Sequence, residues 1–160
     1  MIIENSGNVL DVPHGVIVHG CNSHGIMRSG IAKEVVRRFP GAFQVYADEY
    51  NRCLAQGLPG LILGTFTVHW VTPTKAIVNA ITQKDYGRDP NRIYVDYEAL
   101  GKAFLELSTT NKNLRTVGLM YGIHFPKIGC GLANGDWDIV KPLIDEVVSD
   151  DFKKHYWEFQ

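Results

Sequence analysis

Two glycine-rich segments of this chain could bind phosphate groups through their backbone amides. The first covers residues 20–30 and the second residues 126–137, and each stands between a predicted strand and a predicted helix. Glycine lets main-chain N–H groups approach a ligand closely, and a helix N-terminus offers unpaired N–H groups with a partial positive charge. Either segment alone could be a simple connection. Two in one small domain predict loops that hold the two phosphates of one extended ligand from opposite sides.

Both segments lack the better-known phosphate-binding motifs of nucleotide-binding proteins. The sequence has no G-x-x-x-x-G-K-[ST], which argues against a nucleoside triphosphatase, and no G-x-G-x-x-G opening the first helix, which argues against a classical dinucleotide fold. The histidines show no metal-ligand spacing, so we expect chemistry without a metal or cofactor. Cys21, Cys53 and Cys130 are odd in number and widely spaced, so we expect reduced thiols and a cytoplasmic protein.

Several titratable side chains near these segments are candidates for proton transfer. His19 ends the strand before the first segment and titrates near neutrality, although a hydrogen-bonded core histidine is an equal alternative. Asp136 could act as a base, but its place before the last helix favours a helix cap. Lys84 and Asp85 stand in a third polar loop, where solvated charges are the ordinary interpretation. His24 could contact phosphate or simply be solvated.

Composition and charge set the broad class. The chain has 160 residues, 45% of them apolar and 21% charged, as in ordinary globular proteins, and we expect one domain over residues 1–160. Sixteen basic and seventeen acidic side chains leave a net charge of -1, which argues against a protein that tracks a nucleic-acid backbone. No apolar run is long enough to span a membrane, so we expect no membrane partner, and we expect a monomer.

Hydrophobic patterns predict alternating strands and helices. Strands are predicted at residues 16–19, 65–71, 76–82, 115–121 and within 152–159. Helices are predicted over residues 31–39, 42–56, 96–108 and 136–147, with Ile139 facing inward and Pro142 kinking or interrupting the last helix. Such alternation indicates an α/β domain with helices on both faces of a mostly parallel sheet, which binds ligands beyond the carboxyl ends of its strands.

Three strings carry a resemblance: V-I-V-H-G-C-N at residues 16–22, G-I-A at 30–32, and P-K-I-G-C-G-L at 126–132, followed by Asp136 and Trp137. Over nearly its whole length the chain resembles the macrodomain family, which binds ADP-ribose. It is most similar to the branch of terminal ADP-ribose glutamate hydrolases and yeast-type ADP-ribose 1''-phosphate phosphatases. The resemblance implies a three-layer α/β/α macrodomain with a mixed, mostly parallel central sheet.

The resemblance also implies which residues bind the ligand. These are Asn8, Val9, Cys21, Asn22, Ser29, Gly30, Ile31, Ala32, Phe125, Ile128, Gly129, Cys130, Gly131 and Leu132. Asn22 would face the distal ribose, and Phe125 would line its pocket. Asn8 stands where many members read adenine with an aspartate, and Tyr86 would shield the ligand from the third loop.

The two activities of this branch imply different catalytic groups. The glutamate hydrolases carry an acid directly after G-C-G-L, where this chain has Ala133, and a lysine after the central strand, at or one residue before Lys84. The phosphatases carry a histidine before C-N, which His19 matches. We therefore expect His19, Asn22, Asp136 and Lys84 as catalytic candidates.

The expected substrate is ADP-ribose 1''-phosphate, and an ADP-ribosylated protein or nucleic acid comes second. A non-catalytic ADP-ribose reader is the alternative from another functional class. A single-stranded nucleic-acid binder that uses surface aromatics is a third, which the near-neutral charge disfavours.

Overall fold

Two apolar strands form the centre of the sheet. β2 (Gly15–Asn22) and β4 (Lys75–Gln83) are buried over almost their whole length and pair in parallel. Strands rich in Val and Ile on both faces are typical of parallel sheets that helices cover on both sides. The structure is a computed structural model and describes residues 1–159.

Four further strands complete a six-stranded sheet in the order β1-β6-β5-β2-β4-β3. They are β1 (Ile2–Ser6), β3 (Phe66–Thr72), β5 (Ile123–Phe125) and β6 (Lys154–Glu158). β3 runs antiparallel to β4, and the other neighbouring strands pair in parallel. The helices are α1 (Gly30–Arg38), α2 (Pro40–Ala55), α3 (Tyr97–Thr109), α4 (Lys112–Tyr121) and α5 (Trp137–Val147), with a 3-10 turn at Val9–Asp11.

The helices lie on both faces of the sheet and enclose separate cores. On one face Val18 packs in a cluster with Phe104 of α3 and Ile144 of α5. On the other face Ile77 packs with Val35 of α1 and Ala42 of α2. The expected three-layer α/β fold with a mixed, mostly parallel sheet is thereby confirmed.

Side-chain caps fix where the later helices begin. Asp96 accepts a hydrogen bond from the Ala99 N–H at 3.0 Å, and Asp136 accepts one from the Asp138 N–H at 2.9 Å. Both caps agree with the sequence prediction. The capping alternative for Asp136 is therefore the one that the structure shows.

The strand predicted at residues 115–121 is wrong, because these residues belong to α4. Asn111 caps this helix by accepting from the Leu114 N–H at 3.0 Å, and Leu114, Val117 and Gly118 form its buried face. Buried positions at a spacing of three to four residues are the helical signature. Asn111 is a typical helix-capping residue, and the sequence prediction did not use it.

Pro142 does not interrupt α5, which continues from Trp137 to Val147. Pro142 is exposed, so the carbonyl left without an intrahelical partner can lie toward water. Ile139, predicted to face inward, is 46% exposed on the same helix. Two short strands, β1 and β5, were not predicted.

Candidate functional site

Residues of both glycine-rich segments line one cavity of about 860 Å³ at the carboxyl ends of the parallel strands. We call it the loop cavity, with loop 1 (residues 23–29) after β2, loop 2 (residues 126–136) after β5, and loop 3 (residues 84–96) after β4. The predicted ligand-binding residues that line it are Cys21, Asn22, Ser29, Gly30, Ile31, Ala32, Ile128, Gly129, Cys130, Gly131 and Leu132. The volume is in the usual range for a small-molecule site.

Loop 1 delivers the N-terminus of α1 to the cavity wall. Gly30 has φ of +57°, a conformation that glycine adopts without strain, and it begins the helix. Ser29 occupies the N-cap position, but its side chain makes no capping hydrogen bond. The first-turn N–H groups of α1 therefore lie at the cavity without a side-chain cap, where an anion can accept from them.

Loop 2 is held in shape by its own backbone. The Gly135 N–H donates to the Gly129 carbonyl at 2.8 Å, and the Cys130 N–H donates to the Lys127 carbonyl at 3.2 Å. Gly129 has φ of +74°, and a Cβ there would lie 2.8 Å from Val95. Gly131 differs, because a Cβ at this position would meet no atom within 4 Å. The loop is therefore preorganised and open on the Gly131 side.

The end of β4 brings Gln83 to the cavity, whereas Lys84, the first residue of loop 3, does not line it. Gln83 ends β4, lines the cavity and donates from Nε2 to the Asp85 carbonyl at 2.7 Å. Lys84 is exposed and not among the lining residues, while its carbonyl accepts from the Ser23 hydroxyl at 2.8 Å. Gln83 is the last residue of β4, whereas Lys84 lies in the bend that follows the strand.

Polar contacts tie loop 3 to loop 1. Nε2 of His24 is 2.8 Å from Oδ1 of Asp85, and the Arg92 guanidinium donates to Oδ2 of the same carboxylate at 2.6 Å. These hydrogen bonds lower the pKa of Asp85. His24 of loop 1 thus pairs with a carboxylate of loop 3, and Tyr86 of loop 3 lines the cavity with its ring steeply inclined to that of His24.

Three predicted site residues lie away from the cavity. His19 is completely buried, its Nε2 is 2.6 Å from Oδ1 of Asn79, and burial lowers the pKa of its imidazole to about 4. Phe125 is completely buried edge-on against Phe104. Asp136 caps α5, as described above, and is not a lining residue. The structure therefore shows the core-histidine alternative for His19.

Asn8 and Val9 are also outside the loop cavity. Asn8 accepts from the Leu10 N–H at 2.9 Å and lines a neighbouring groove of about 500 Å³, and Val9 is buried beneath it. Trp157 lines both the groove and the loop cavity, and its indole N–H donates to Nδ1 of His124 at 3.0 Å. The indole therefore forms the wall that the two spaces share.

Sequence reasoning missed two groups of lining residues. One is the end of β6 and the residue after it, with Tyr156, Trp157, Glu158 and Phe159; the other is the set of cations Arg28, Arg88 and Lys127. An aromatic run was visible at the C-terminal end, but nothing local connected it to loops more than twenty residues away. Only the pairing of β6 beside β5 brings it there.

The charges at the cavity favour an anionic ligand. Among the described residues that line it, Arg28, Arg88 and Lys127 carry positive charge, and Glu158 is the carboxylate, hydrogen-bonded to the Tyr156 hydroxyl. Burial raises the pKa of the Cys130 thiol to about 11, so this thiol is neutral near pH 7. Three cations and one carboxylate line the cavity among the described residues, a balance that favours an anionic group.

Residues 1–159 contain no group of three or more His, Cys, Asp or Glu side chains arranged to hold a metal ion. None of the described helices has the length and apolarity that a membrane crossing requires.

Comparison with known proteins identifies related chains. The Macro domain family model matches residues 18–144. An uncharacterized 17.5 kDa protein of Enterobacteria phage T4, from the tk-vs intergenic region, is 30% identical over 132 residues, which are 81% of this chain and 77% of that protein. The DNA ADP-ribosyl glycohydrolase of Thermus aquaticus is 28% identical over 145 residues, 89% of this chain but 36% of that protein. The match thus spans about a third of the glycohydrolase.

Solved structures share the fold. A macrodomain protein from Streptomyces coelicolor superposes with a TM-score of 0.74 at 25% identity, covering 99% of this chain and 98% of that one. The Thermosipho africanus DarTG protein in complex with ADP-ribose superposes with a TM-score of 0.68 at 16% identity, covering 98% of this chain and 42% of that one. At such identities the second likeness concerns the fold alone.

Proposed function

Since this chain belongs to the Macro domain family, we propose that it binds ADP-ribose or a close derivative in the loop cavity. The observation that carries the proposal is that loops 1 and 2 line the same cavity. The diphosphate lies between the N-terminus of α1 and the backbone of loop 2. Main-chain N–H groups donate to it, so a chain of net charge -1 can still bind a dianion.

The two ends of the cavity differ, and this sets the direction of the ligand. Trp157 and Phe159 supply aromatic surface at one end, where adenine stacks on them. Asn22 and Gln83 supply amides at the other end, where they contact the distal ribose. Asn8 contributes at the adenine end only through the groove that Trp157 borders.

The binding proposal is tested by isothermal titration calorimetry with ADP-ribose. We expect one site per chain, and weaker binding of ADP, which lacks the distal ribose. A matched measurement with Lys84→Ala should give the unmodified affinity, because Lys84 is not among the lining residues. If ADP-ribose produces no heat and no shift in melting temperature, the proposal is wrong.

A second candidate function is hydrolysis at the distal ribose, which the similarity to a DNA ADP-ribosyl glycohydrolase favours. The residues at that end bind and orient: the Asn22 amide and the backbone of loop 2 hold the distal ribose and a water molecule in place. His19, Asp136 and Lys84 do not line the cavity, so they are not assigned a direct part in this reaction. The substrates are ADP-ribose 1''-phosphate or an ADP-ribosylated protein or nucleic acid.

Turnover assays separate hydrolase from reader. Phosphate release is measured with ADP-ribose 1''-phosphate, and ADP-ribose release with ADP-ribosylated DNA and protein. Turnover that is lost in Asn22→Ala and kept in Lys84→Ala supports a hydrolase that uses the distal end of the cavity. Tight ADP-ribose binding with no turnover on any substrate selects the non-catalytic reader.

A further inference from the structure

Tyr46 of α2 lies beneath the junction between β2 and loop 1. It is completely buried, and its hydroxyl is 2.6 Å from the carbonyl oxygen of Asn22 and 3.0 Å from Oδ1 of the same residue. A phenol has one hydrogen, which these two oxygens share. One buried hydroxyl thus contacts both the backbone and the side chain of a residue that lines the loop cavity.

The remaining hydrogen bonds of the Asn22 amide fix its orientation. Oδ1 also accepts from the His24 N–H at 2.9 Å, and Nδ2 donates to the Ile26 carbonyl at 2.9 Å. A side-chain amide has two acceptor positions and two donor hydrogens. Oδ1 is thus contacted by the His24 N–H and by the shared Tyr46 hydroxyl, and one Nδ2 hydrogen is engaged by Ile26, which leaves one Nδ2 hydrogen for a ligand.

We propose that Tyr46 is a positioning residue: it holds the Asn22 amide so that the amide offers the ligand a donor and no acceptor. This rests on the proposed function, because it assumes that the distal ribose lies beside Asn22. The ligand atom recognised there must then be a hydrogen-bond acceptor, such as a ribose hydroxyl oxygen or a phosphate oxygen. A group that can only donate, such as an ammonium, would find no acceptor on this amide.

The Tyr46 hydroxyl keeps its proton throughout the neutral pH range. Burial raises the pKa of the Tyr46 hydroxyl far above its ordinary value. The group therefore stays protonated and remains a donor.

A purely structural role makes a different prediction from a positioning role. Loop 1 continues directly into Ser29 and Gly30, which line the phosphate side of the cavity. If Tyr46 only stabilised the loop, its loss would weaken every ligand that contacts the diphosphate. If it orients Asn22, the loss concerns the distal ribose alone.

The test is calorimetry of Tyr46→Phe with two ligands, ADP-ribose and ADP. We expect affinity for ADP-ribose to fall about three- to tenfold, as for one lost hydrogen bond, and affinity for ADP to change less than about twofold. Ser108→Ala is the matched control, because it removes a buried hydroxyl that donates to the Phe104 carbonyl on α3, outside the cavity. It should lower the melting temperature to a similar degree and leave both affinities unchanged.

A double-mutant cycle and a spectroscopic signal complete the test. Adding Tyr46→Phe to Asn22→Ala should cost no further ADP-ribose affinity, since Tyr46 acts through Asn22. In the unmodified protein, ADP-ribose should shift one of the two Asn22 side-chain amide proton signals in an NMR spectrum, and ADP neither.

The outcomes distinguish a failure of the positioning role of Tyr46 from a failure of the proposed function. Equal losses for ADP and ADP-ribose, or a full additional loss in the Asn22→Ala background, would overturn the positioning role while leaving ADP-ribose binding intact. An unmodified protein that binds no ADP-ribose would overturn the proposed function and the positioning role together.

Discussion

Gly131→Val should abolish ADP-ribose binding while leaving the fold intact. Gly131 lines the loop cavity, and a Cβ built on it meets no atom within 4 Å, so the added side chain has room without displacing the protein. Its φ is not in the positive range, so valine is compatible with the backbone. The isopropyl group would instead occupy space that the proposed diphosphate needs.

The expected loss of ADP-ribose affinity follows from the hydrogen bonds that the diphosphate would lose. A hydrogen bond to a charged group contributes about 1.5–3 kcal/mol, so displacement from two N–H donors costs about 3–6 kcal/mol. This corresponds to an affinity lower by about 10²- to 10⁴-fold. The free energy of unfolding should change by less than about 0.5 kcal/mol, as for an exposed substitution.

The assay combines calorimetry with thermal unfolding, and Gly129→Ala is the contrasting variant. Gly129 has φ of +74°, and its Cβ would lie 2.8 Å from Val95, so alanine there should destabilise the fold by about 2 kcal/mol or more. Gly131→Val should lose binding at constant melting temperature, and Gly129→Ala should lower the melting temperature. Unchanged ADP-ribose affinity in a folded Gly131→Val protein would show that loop 2 is not at the phosphates.

Three further predictions concern other parts of the site and the core. Trp157→Ala should weaken binding of ADP-ribose more than binding of ribose 5-phosphate, because adenine stacks on the indole in the proposed binding mode; an equal loss for both in calorimetry would contradict stacking. Gln83→Ala should lower ADP-ribose affinity about two- to tenfold while Lys84→Ala does not; the reverse order would contradict the placement of loop 3. Burial lowers the pKa of both His19 and His124 from 6.5 to about 4, so unfolding takes up protons in this range. Stability is therefore full above pH 6.5 and falls as the pH drops toward 4. Each histidine contributes about 3 kcal/mol to this loss. Urea unfolding at several pH values should show this fall in the free energy of unfolding. The fall should be smaller in His19→Asn. A free energy of unfolding that does not change between pH 6.5 and 4 would refute the neutral buried state of the two histidines.

Local patterns were sufficient where one stretch of chain fixes its own structure. The Val and Ile run of β2 and the caps at Asp96 and Asp136 are of this kind, since a buried strand or a capped first turn depends on neighbours within a few residues. The segment at 115–121 was mispredicted because β-branched and apolar residues suit both a strand and a buried helix face. Its helical state depends on the Asn111 cap and on packing against the sheet.

By itself, the sequence determined the α/β class, the two glycine-rich loops and the family resemblance, because each is written in contiguous residues. The tertiary structure decided which side chains reach the loop cavity. It placed His19 in the core beside Asn79, turned Gln83 rather than Lys84 toward the cavity, and brought Trp157 there from the last strand. The physical reason is that strand order and side-chain alternation are set by the packing of distant segments.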